Sequence, residues 1–502
     1  MSTSRLAQLL AIDITTTEFA LAVRDAEGAE EFVRLKMRGA TCWKNDPRFP
    51  GFDLTEIPCM LAELLDQLEK KGWQFRRPAS SPGCVSVSCR QHDQVVLDAA
   101  DQPLLPALMW QCNAATDEVE WLRGRQVEQA VGPLAPRFVL PKLLCVLRQE
   151  PDLRSRIGKV MLTGDWVAYG LTGKATLAKS DALSNGLLDQ ASRQLATTAL
   201  EAADFPARWF PPLAESGTEV GTVLPSRGGD DPWEPSKQRL AGWRFAAGLG
   251  DNHASAVGCG MTDDYRRVVV SAGTSGTINW SCAKDYSLSP HPETCRFEFY
   301  EQNSLILKML GDCGAWYSRF YHEYAPEYAD QLSALNRLLH DVELSDVRRV
   351  LHNDDRHCET PPPGWARMSL GAKTACTQFS IVLELLLRVR RLIHEAQAGR
   401  PYAVDTYVLT GGLSQSRFFQ QCFAAGVGLL APQAQVKVSG REGPLRFKTS
   451  AYGALVNAEL LQTGSLQAIV SDTRRFPLLD CATFDPLRLA TAQYLLAAAG
   501  LG

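Results

Sequence analysis

Four short segments carry residue types suited to phosphoryl-group chemistry. Asp13-Ile14-Thr15-Thr16-Thr17 puts a carboxylate at the end of an apolar run and three hydroxyls in the turn after it. Turn N–H groups and hydroxyls donate to phosphate oxygens, and the carboxylate can reach a magnesium ion directly or through water. Gly273-Thr274-Ser275-Gly276 is a second potential cradle. Gly411-Gly412, ahead of Ser414 and Ser416, is a third place where backbone can approach a nucleotide closely. Asp251 sits among small residues just ahead of the second cradle, where its carboxylate could take a proton from an attacking hydroxyl. Taken singly, Asp, Thr and Gly are ordinary turn residues, and for one isolated turn that plainer reading is preferred. Four such segments in this order are hard to attribute to turns alone.

The elements that must position them are readable from hydrophobic spacing. Leu9–Ile14 reads as a buried strand, Phe19–Val23 as a second and Glu31–Met37 as a third; joined by so few residues, the first two must run antiparallel. Leu54–Lys70 has the one-faced apolar spacing of a helix. The same opening returns mid-chain, with strands at Arg267–Ala272, Thr277–Trp280 and Leu305–Leu310 around the Gly273–Gly276 turn. A repeated strand–turn–strand unit suggests two related halves. Pro211–Arg244, rich in Gly, Pro, Ser and Asp, reads as the connecting region. In the second half a long apolar helix covers Thr377–Gln397, a strand covers Ala403–Leu409, a helix begins near Ser414 or Ser416, and another covers Tyr452–Leu461. Sheets flanked by helices in both halves make the fold class α/β.

Composition excludes several classes. The 502 residues are 45% hydrophobic and 22% charged, the balance of a globular protein. A net charge of −4 from 52 basic and 56 acidic side chains is too even for a nucleic-acid backbone binder or a polybasic membrane-surface protein. No apolar run approaches the ~18 residues of a membrane span, and the N-terminal stretch, broken at Asp13, lacks a secretory cleavage pattern. The 14 cysteines are scattered without a C-x-x-C, which favours free thiols in a reducing compartment and no zinc cluster. The expectation is a cytoplasmic, soluble protein.

These segments, in order, resemble the FGGY carbohydrate kinases, in the superfamily of actin and hexokinase. Asp13–Thr17 resembles the D-x-G-T-T phosphate motif, Gly250-Asp251-Asn252-His253-Ala254 the segment of the catalytic aspartate, Ser271–Gly276 the S-x-G-T-S-G hairpin, and Thr410–Ser416 the adenosine-site G-G-x-x-x-S segment. Lys142-Leu143-Leu144, Thr163-Gly164-Asp165-Trp166, Leu171-Thr172-Gly173 and Ser180-Asp181-Ala182 are similar to landmarks of the first domain. The substrate side is most similar to xylulokinases: Ser88–Asp93 resembles their S-G-Q-M-H-G strand, with His92 on the sugar-contacting histidine, and Trp110-Gln111-Cys112-Asn113-Ala114 resembles W-N-D-x-R. Trp110 and His92 also have plain structural readings, as core and as a satisfied histidine.

The resemblance implies two ribonuclease-H-like α/β domains, a sugar-binding one over residues 1–243 and a nucleotide-binding one over 244–502, with an interdomain active-site cleft. It implies ATP-dependent phosphorylation of a sugar hydroxyl, with ATP and Mg2+ as cofactors. Asp251 would be the base, and Gln91, His92, Trp110, Asp251 and Asn252 would contact the sugar. Thr15, Thr16, Thr17, Gly273, Thr274, Ser275, Gly411, Gly412 and Ser416 would contact ATP, and Asp13 the metal. The expected partners are these small molecules, with no nucleic acid and no membrane; a homodimer is one expectation for assembly. The chain departs from the family at Thr15, which replaces a Gly, at Cys112 and Ala114, which replace an Asp and an Arg, and at Cys145, which replaces a Trp. A β-branched residue tolerates positive φ poorly, so Thr15 raises the question of phosphate binding. Cys112 and Ala114 raise that of D-xylulose as substrate. The alternative these changes motivate is a catalytically weak or inactive homologue that senses a sugar or nucleotide. A structural actin-like filament protein would leave the His92 segment unexplained.

Overall fold

The computed structural model describes residues 4–261, 265–273, 275–286, 294–300, 303–328, 332–353, 358–397, 404–440, 443–445, 448–471 and 475–501. The chain divides into two compact units. The first comprises Met1–Gly260, Arg296–Ser304 and Glu442–Asp472, and the second comprises Met261–Cys295, Leu305–Arg441 and Thr473–Gly502. The first of these boundaries falls at Gly260.

In the first unit the strands β1 (Arg5–Ile14), β2 (Glu18–Asp25), β3 (Glu30–Lys36), β4 (Cys84–Cys89), β5 (Glu219–Thr222), β6 (Arg244–Ala246) and β7 (Leu249–Gly250) build an eight-stranded mixed sheet in the order β5-β6-β4-β1-β2-β3, with β7 also on β4 and Trp73–Gln74 on β1. β1 runs antiparallel to β2 and parallel to β4. The apolar runs of β1 and β4 are buried on both faces, as central parallel strands are. Pro211–Arg244 is therefore more than a connection. It supplies the edge strand β5 and a helix at Glu234–Leu240, and its short, polar strand segments hide both from periodicity. A second, five-stranded sheet in this unit takes Gln94–Asp98 as an inner strand. Residues 90–93 thus form the passage from one sheet to the other. The amphipathic α1 (Glu56–Lys70) buries Ile57, Leu61, Leu64, Leu65 and Leu68 in the unit's core.

The second unit repeats the opening. β8 (Arg267–Ala272), β9 (Gly276–Ala283), β10 (Thr294–Phe299), β11 (Asn303–Leu310), β12 (Thr406–Thr410), β13 (Gln435–Ser439) and β14 (Leu478–Asp480) form a seven-stranded sheet in the order β10-β11-β9-β8-β12-β13-β14. Arg296–Ser304, from within β10 to the start of β11, groups with the first unit. Helix α2 (Leu370–Gln397) is long and apolar enough to cross a membrane by length and composition alone. It is mostly buried, and its side chains Phe379, Val382, Leu385, Leu386 and Val389 fill this unit's core. Helix α3 (Arg417–Leu430) follows β12. The chain then returns to the first unit in α4 (Thr449–Thr463), which begins three residues earlier than its apolar spacing suggests.

Candidate active site

Asp13 is the last residue but one of β1, and Asp251 follows β7 at once, as the first residue of the short helix Asp251–Gly258. Both strands lie parallel to β4, with Asp13 opposite Ser88 and Gly250 opposite Cys89. The two carboxylates therefore leave the same carboxyl edge of the sheet, where α/β folds gather their ligands. Burial raises Asp13 to about 6 against the pull of the Ser450 hydroxyl, which donates to its Oδ2 at 2.9 Å from the start of α4. Its Oδ1 is buried and, among the described residues, has no partner within hydrogen-bond geometry. Burial likewise raises Asp251 to about 7, with Asp13 and Asp93 adding to the rise. The Asn252 N–H donates to Asp251 Oδ1 at 2.8 Å, and no described group bonds its Oδ2. A carboxylate titrating near neutrality with an open oxygen is suited to accept a hydroxyl proton.

The passage between the sheets holds the neighbouring groups. Arg90 and Asp93 form a fully buried ion pair at 2.6 Å. Arg90 Nη1 also donates to the Thr15 carbonyl at 2.9 Å, and Asp93 Oδ1 accepts from the Trp110 backbone N–H at 3.1 Å. The Trp110 indole N–H in turn donates to Thr16 Oγ1 at 3.0 Å, while 40% of the residue stays exposed. The turn Thr15–Thr17 and the segment around Trp110 are thus drawn together by two residues, Arg90 and Asp93, that the sequence reading did not single out. An Arg and an Asp three apart directly after an apolar strand were the available signal.

Thr15 resolves its own difficulty. Its φ is not positive, its N–H and hydroxyl both donate to the Glu18 carbonyl, and its hydroxyl accepts the Glu18 N–H at 3.0 Å, closing the β1–β2 hairpin. Thr17 is exposed and its carbonyl accepts the Met37 N–H. Cys112 is buried in a second core of the first unit among Leu108, Ala115 and Val139.

His92 lies in the passage with φ +72 and stacks on Phe138 at 4.8 Å. Burial holds it neutral, well below the usual histidine value. Its Nδ1 meets Asn185 Oδ1 at 3.2 Å, so Nδ1 carries the proton and Nε2 is left as an acceptor. One hydroxyl, rather than the pair expected from a free imidazole, can use it. Lys142 anchors this turn: its fully buried ammonium donates to the carbonyls of His92, Leu108 and Met109, and burial lowers it to about 8. Gln91 Oε1 accepts from Asn252 Nδ2 at 2.9 Å, and Gln91 Nε2 meets His253 Nδ1 at 3.0 Å. Gln91, Asn252 and Asp251 are therefore one connected group.

In the second unit Gly411 has φ +91, and a Cβ there would stand 2.5 Å from the Ala272 carbonyl carbon and 2.8 Å from the Gly273 nitrogen. Only glycine lets the two turns meet. A Cβ on Gly412 would meet open space, Ser275 follows in the same hairpin, and Thr274 lies outside the described residues. Ser416 caps α3 by accepting the Phe419 N–H and donates its hydroxyl to Gln378 Oε1 at 2.7 Å. That hydroxyl's proton is committed within the protein, so the open contacts of this segment are backbone.

The FGGY carbohydrate-kinase N-terminal-domain model matches residues 8–258, half of the chain. The protein belongs to the FGGY family of carbohydrate kinases. This FGGY chain is similar to the xylulose kinase of Escherichia coli strain K12, 33% identical over 196 residues that make up 38% of this chain and 39% of that one. The alignment thus spans about two fifths of the curated relative's length. Two solved structures share the fold over nearly the whole chain. A ligand-bound xylulose kinase from Lactobacillus acidophilus superposes with a TM-score of 0.80 at 16% identity, covering 98% of this chain and 96% of that one. Plasmodium falciparum glycerol kinase with ADP gives 0.78 at 14% identity, covering 99% and 98%. The two-domain actin-like α/β architecture is accordingly that of FGGY kinases.

The metal expected at Asp13 is compatible with the residues present. Among the described residues no three His, Cys, Asp or Glu side chains gather to hold an ion. Asp13 offers one buried oxygen without a partner. A single carboxylate completed by phosphate oxygens and water is how Mg2+ is held in nucleotide sites.

Proposed function

We propose that this FGGY protein is an ATP-dependent carbohydrate kinase that phosphorylates a hydroxyl of a ketopentose or related sugar or polyol, in the manner of the xylulose kinases it is similar to. The observation that carries the reading is Asp251. Its carboxyl is raised to about 7 by burial and keeps an open oxygen, and it is linked through Asn252 to Gln91, the residue before His92, at one sheet edge. Asp251 would hold and deprotonate the sugar hydroxyl that attacks the γ-phosphorus of ATP. His92 Nε2 would accept from a second hydroxyl, and the Trp110 ring would lie alongside the sugar. Phosphoryl transfer asks little covalent chemistry of the protein, so positioning and electrostatics carry the rate.

Thr16 and Thr17 would contact phosphate, with Thr15 shaping their turn. Gly273, Thr274, Ser275, Gly411 and Gly412 would contact ATP, with Ser416 holding its segment in place. Mg2+, held at Asp13 and by the phosphates, would offset charge on the transferring group. The buried Cys84, Cys89, Cys112, Cys145, Cys376 and Cys422 are free thiols, and the cytoplasm, a reducing compartment that supplies ATP, fits them and the proposed reaction.

A coupled ADP-release assay over a panel of ketoses and polyols tests the reading. The expected result is turnover with at least one of them, D-xylulose included. ATP consumption that no sugar stimulates defeats it and leaves the sensor alternative, which Cys112 and Ala114 motivate, in its place.

A further inference from the structure

The bonds around Gln91 have a direction that can be worked out atom by atom. At the reacting end, Asp251 Oδ1 lies 3.4 Å from Asn252 Nδ2 and accepts the Asn252 backbone N–H. A carboxylate calls for the amide's donor side, so Asn252 turns its NH2 toward Asp251 and Gln91. Gln91 must then present Oε1 to Asn252, at 2.9 Å, and its own NH2 to His253, at 3.0 Å. An NH2 group only donates, so His253 Nδ1 must be a bare acceptor and its proton must sit on Nε2. His253 is wholly buried, packed on Phe297 with ring centres 5.5 Å apart, and burial drives it down to about 3. It therefore stays neutral throughout the working range, and Nδ1 stays an acceptor. With Asp251 ionised, as a base must be, no part of this chain of bonds can reverse without setting two donors or two acceptors face to face.

The consequence appears at the far side of Asn252. With both its N–H groups turned to protein atoms, the side chain offers only Oδ1 to a ligand. We propose that His253 is a positioning residue which, through Gln91, fixes Asn252 with its carbonyl toward the acceptor sugar, so that the site selects a substrate with a second hydroxyl donor next to the one being phosphorylated. The inference rests on the kinase reading above and narrows it. Two adjacent acceptors, Asp251 Oδ2 and Asn252 Oδ1, match two adjacent O–H donors. A substrate carrying an ether, carbonyl or deoxy centre next to the reacting hydroxyl meets the Asn252 oxygen with nothing to donate.

The test is steady-state kinetics with the ketose or polyol that best stimulates ADP release, and with its analogue deoxygenated beside the phosphorylated carbon. In the unmodified protein the analogue should show a Michaelis constant ~10-fold or more above the parent, the cost of one unmet buried acceptor. His253→Ala frees Gln91 to turn over. It should raise the parent sugar's constant by about the same ~10-fold while changing the ATP constant less than ~3-fold, and it should leave the analogue nearly unaffected. His253→Asn, whose Oδ1 can accept where Nδ1 did, should restore most of the parent's affinity. Should His253→Ala fail to fold, Gln91→Met, similar in length and unable to bond either neighbour, should reproduce its pattern. Equal losses for parent and analogue in these variants, or an unchanged sugar constant in both, overturn the lock while the kinase reading stands. Failure of every sugar to stimulate the unmodified protein overturns both.

Discussion

The residues around Asp93 and those around Gly411, both proposed to meet a ligand, hold their polar groups by opposite means. In the first unit the geometry rests on side chains that answer one another. Arg90 pairs with Asp93, Asp93 holds the Trp110 backbone, Trp110 holds Thr16, and Lys142 collects three carbonyls beneath His92. In the second unit it rests on backbone, with Gly411 passing against Ala272 and Gly273 where no side chain fits. A network of side chains can be tuned one member at a time for a particular sugar, at the cost that each member depends on its partner. A backbone cradle is indifferent to side-chain identity except at the glycines that permit it.

The sharpest way to break this contrast is Arg90→Met. It strands Asp93 as a buried charge, and the loss should be about 3–5 kcal/mol in urea unfolding. Adding Asp93→Asn should recover part of it, since the charge left behind is the larger cost. An additive double variant would mean that the pair is not a unit.

Asp251→Asn comes next, with a fall in turnover of about 100-fold or more in the ADP-release assay. Near-normal turnover would remove Asp251 from the chemistry. The sign of the pH effects follows from its position near 7. A base works when deprotonated, so kcat/KM of the unmodified protein should fall as pH drops through about 7, and more steeply below about 6 as Asp13 also takes its proton. Stability runs the other way. The folded state holds the Asp251 proton more tightly than the unfolded chain, for which the ordinary value is 3.8, so ionisation costs stability as pH rises from about 4 through 7. Asp251→Asn should therefore melt higher than the unmodified protein at pH 8, with the advantage vanishing toward pH 4.

Gly411→Ala should cost about 1–3 kcal/mol for a side chain at positive φ, together with a raised ATP requirement and an unchanged sugar constant. Because the obstruction is backbone, no second substitution should rescue it, which sets it apart from the Arg90 case. The smallest effect is expected of Thr15→Gly. Its hydroxyl bonds at Glu18 are worth about 1 kcal/mol, and their loss should lower the melting temperature without improving ATP kinetics. Faster turnover in Thr15→Gly would mean that Thr15 does hinder phosphate after all.

Much of the scaffold was legible because it is local. The β1–β2–β3 hairpins, the helix at Glu56–Lys70 and the repeat at β8–β9 are each written in adjacent residues, and so are the small-residue segment around Asp251 and the pair Gly411-Gly412. What escaped depends on partners far along the chain. Ser450 reaches Asp13 across 437 positions, and Gln91 meets His253 across 162. Spacing within a window cannot register either. Spacing also leaves the Thr15 turn open, since the glycine of the motif suggests positive φ, whereas a threonine with its own hydroxyl bonds closes the same turn at negative φ. Edge strand β5 was hidden by its length of four residues, too short for alternation to show.

The return of α4 to the first unit has a bearing on how the protein is made. Gly453 lies so close to the Ala254 carbonyl that a methyl group there would overlap it, and Asn457 donates to Ser86 and to the Ala247 carbonyl, both at 2.8 Å. This helix is an inner part of the first unit, yet the ribosome delivers it after nearly all of the second. A nascent chain that has emerged to Gly260 holds the sheet but lacks the piece that covers β1, β4 and the Asp251 helix, so its apolar edge must wait through roughly 190 further codons, ten seconds or more at ordinary elongation rates. The second unit, complete in sequence except for its last segment, can condense during that interval. Synthesis in this order makes the closing of the first unit, and with it the seating of Asp13 against Ser450, one of the last events in the protein's maturation.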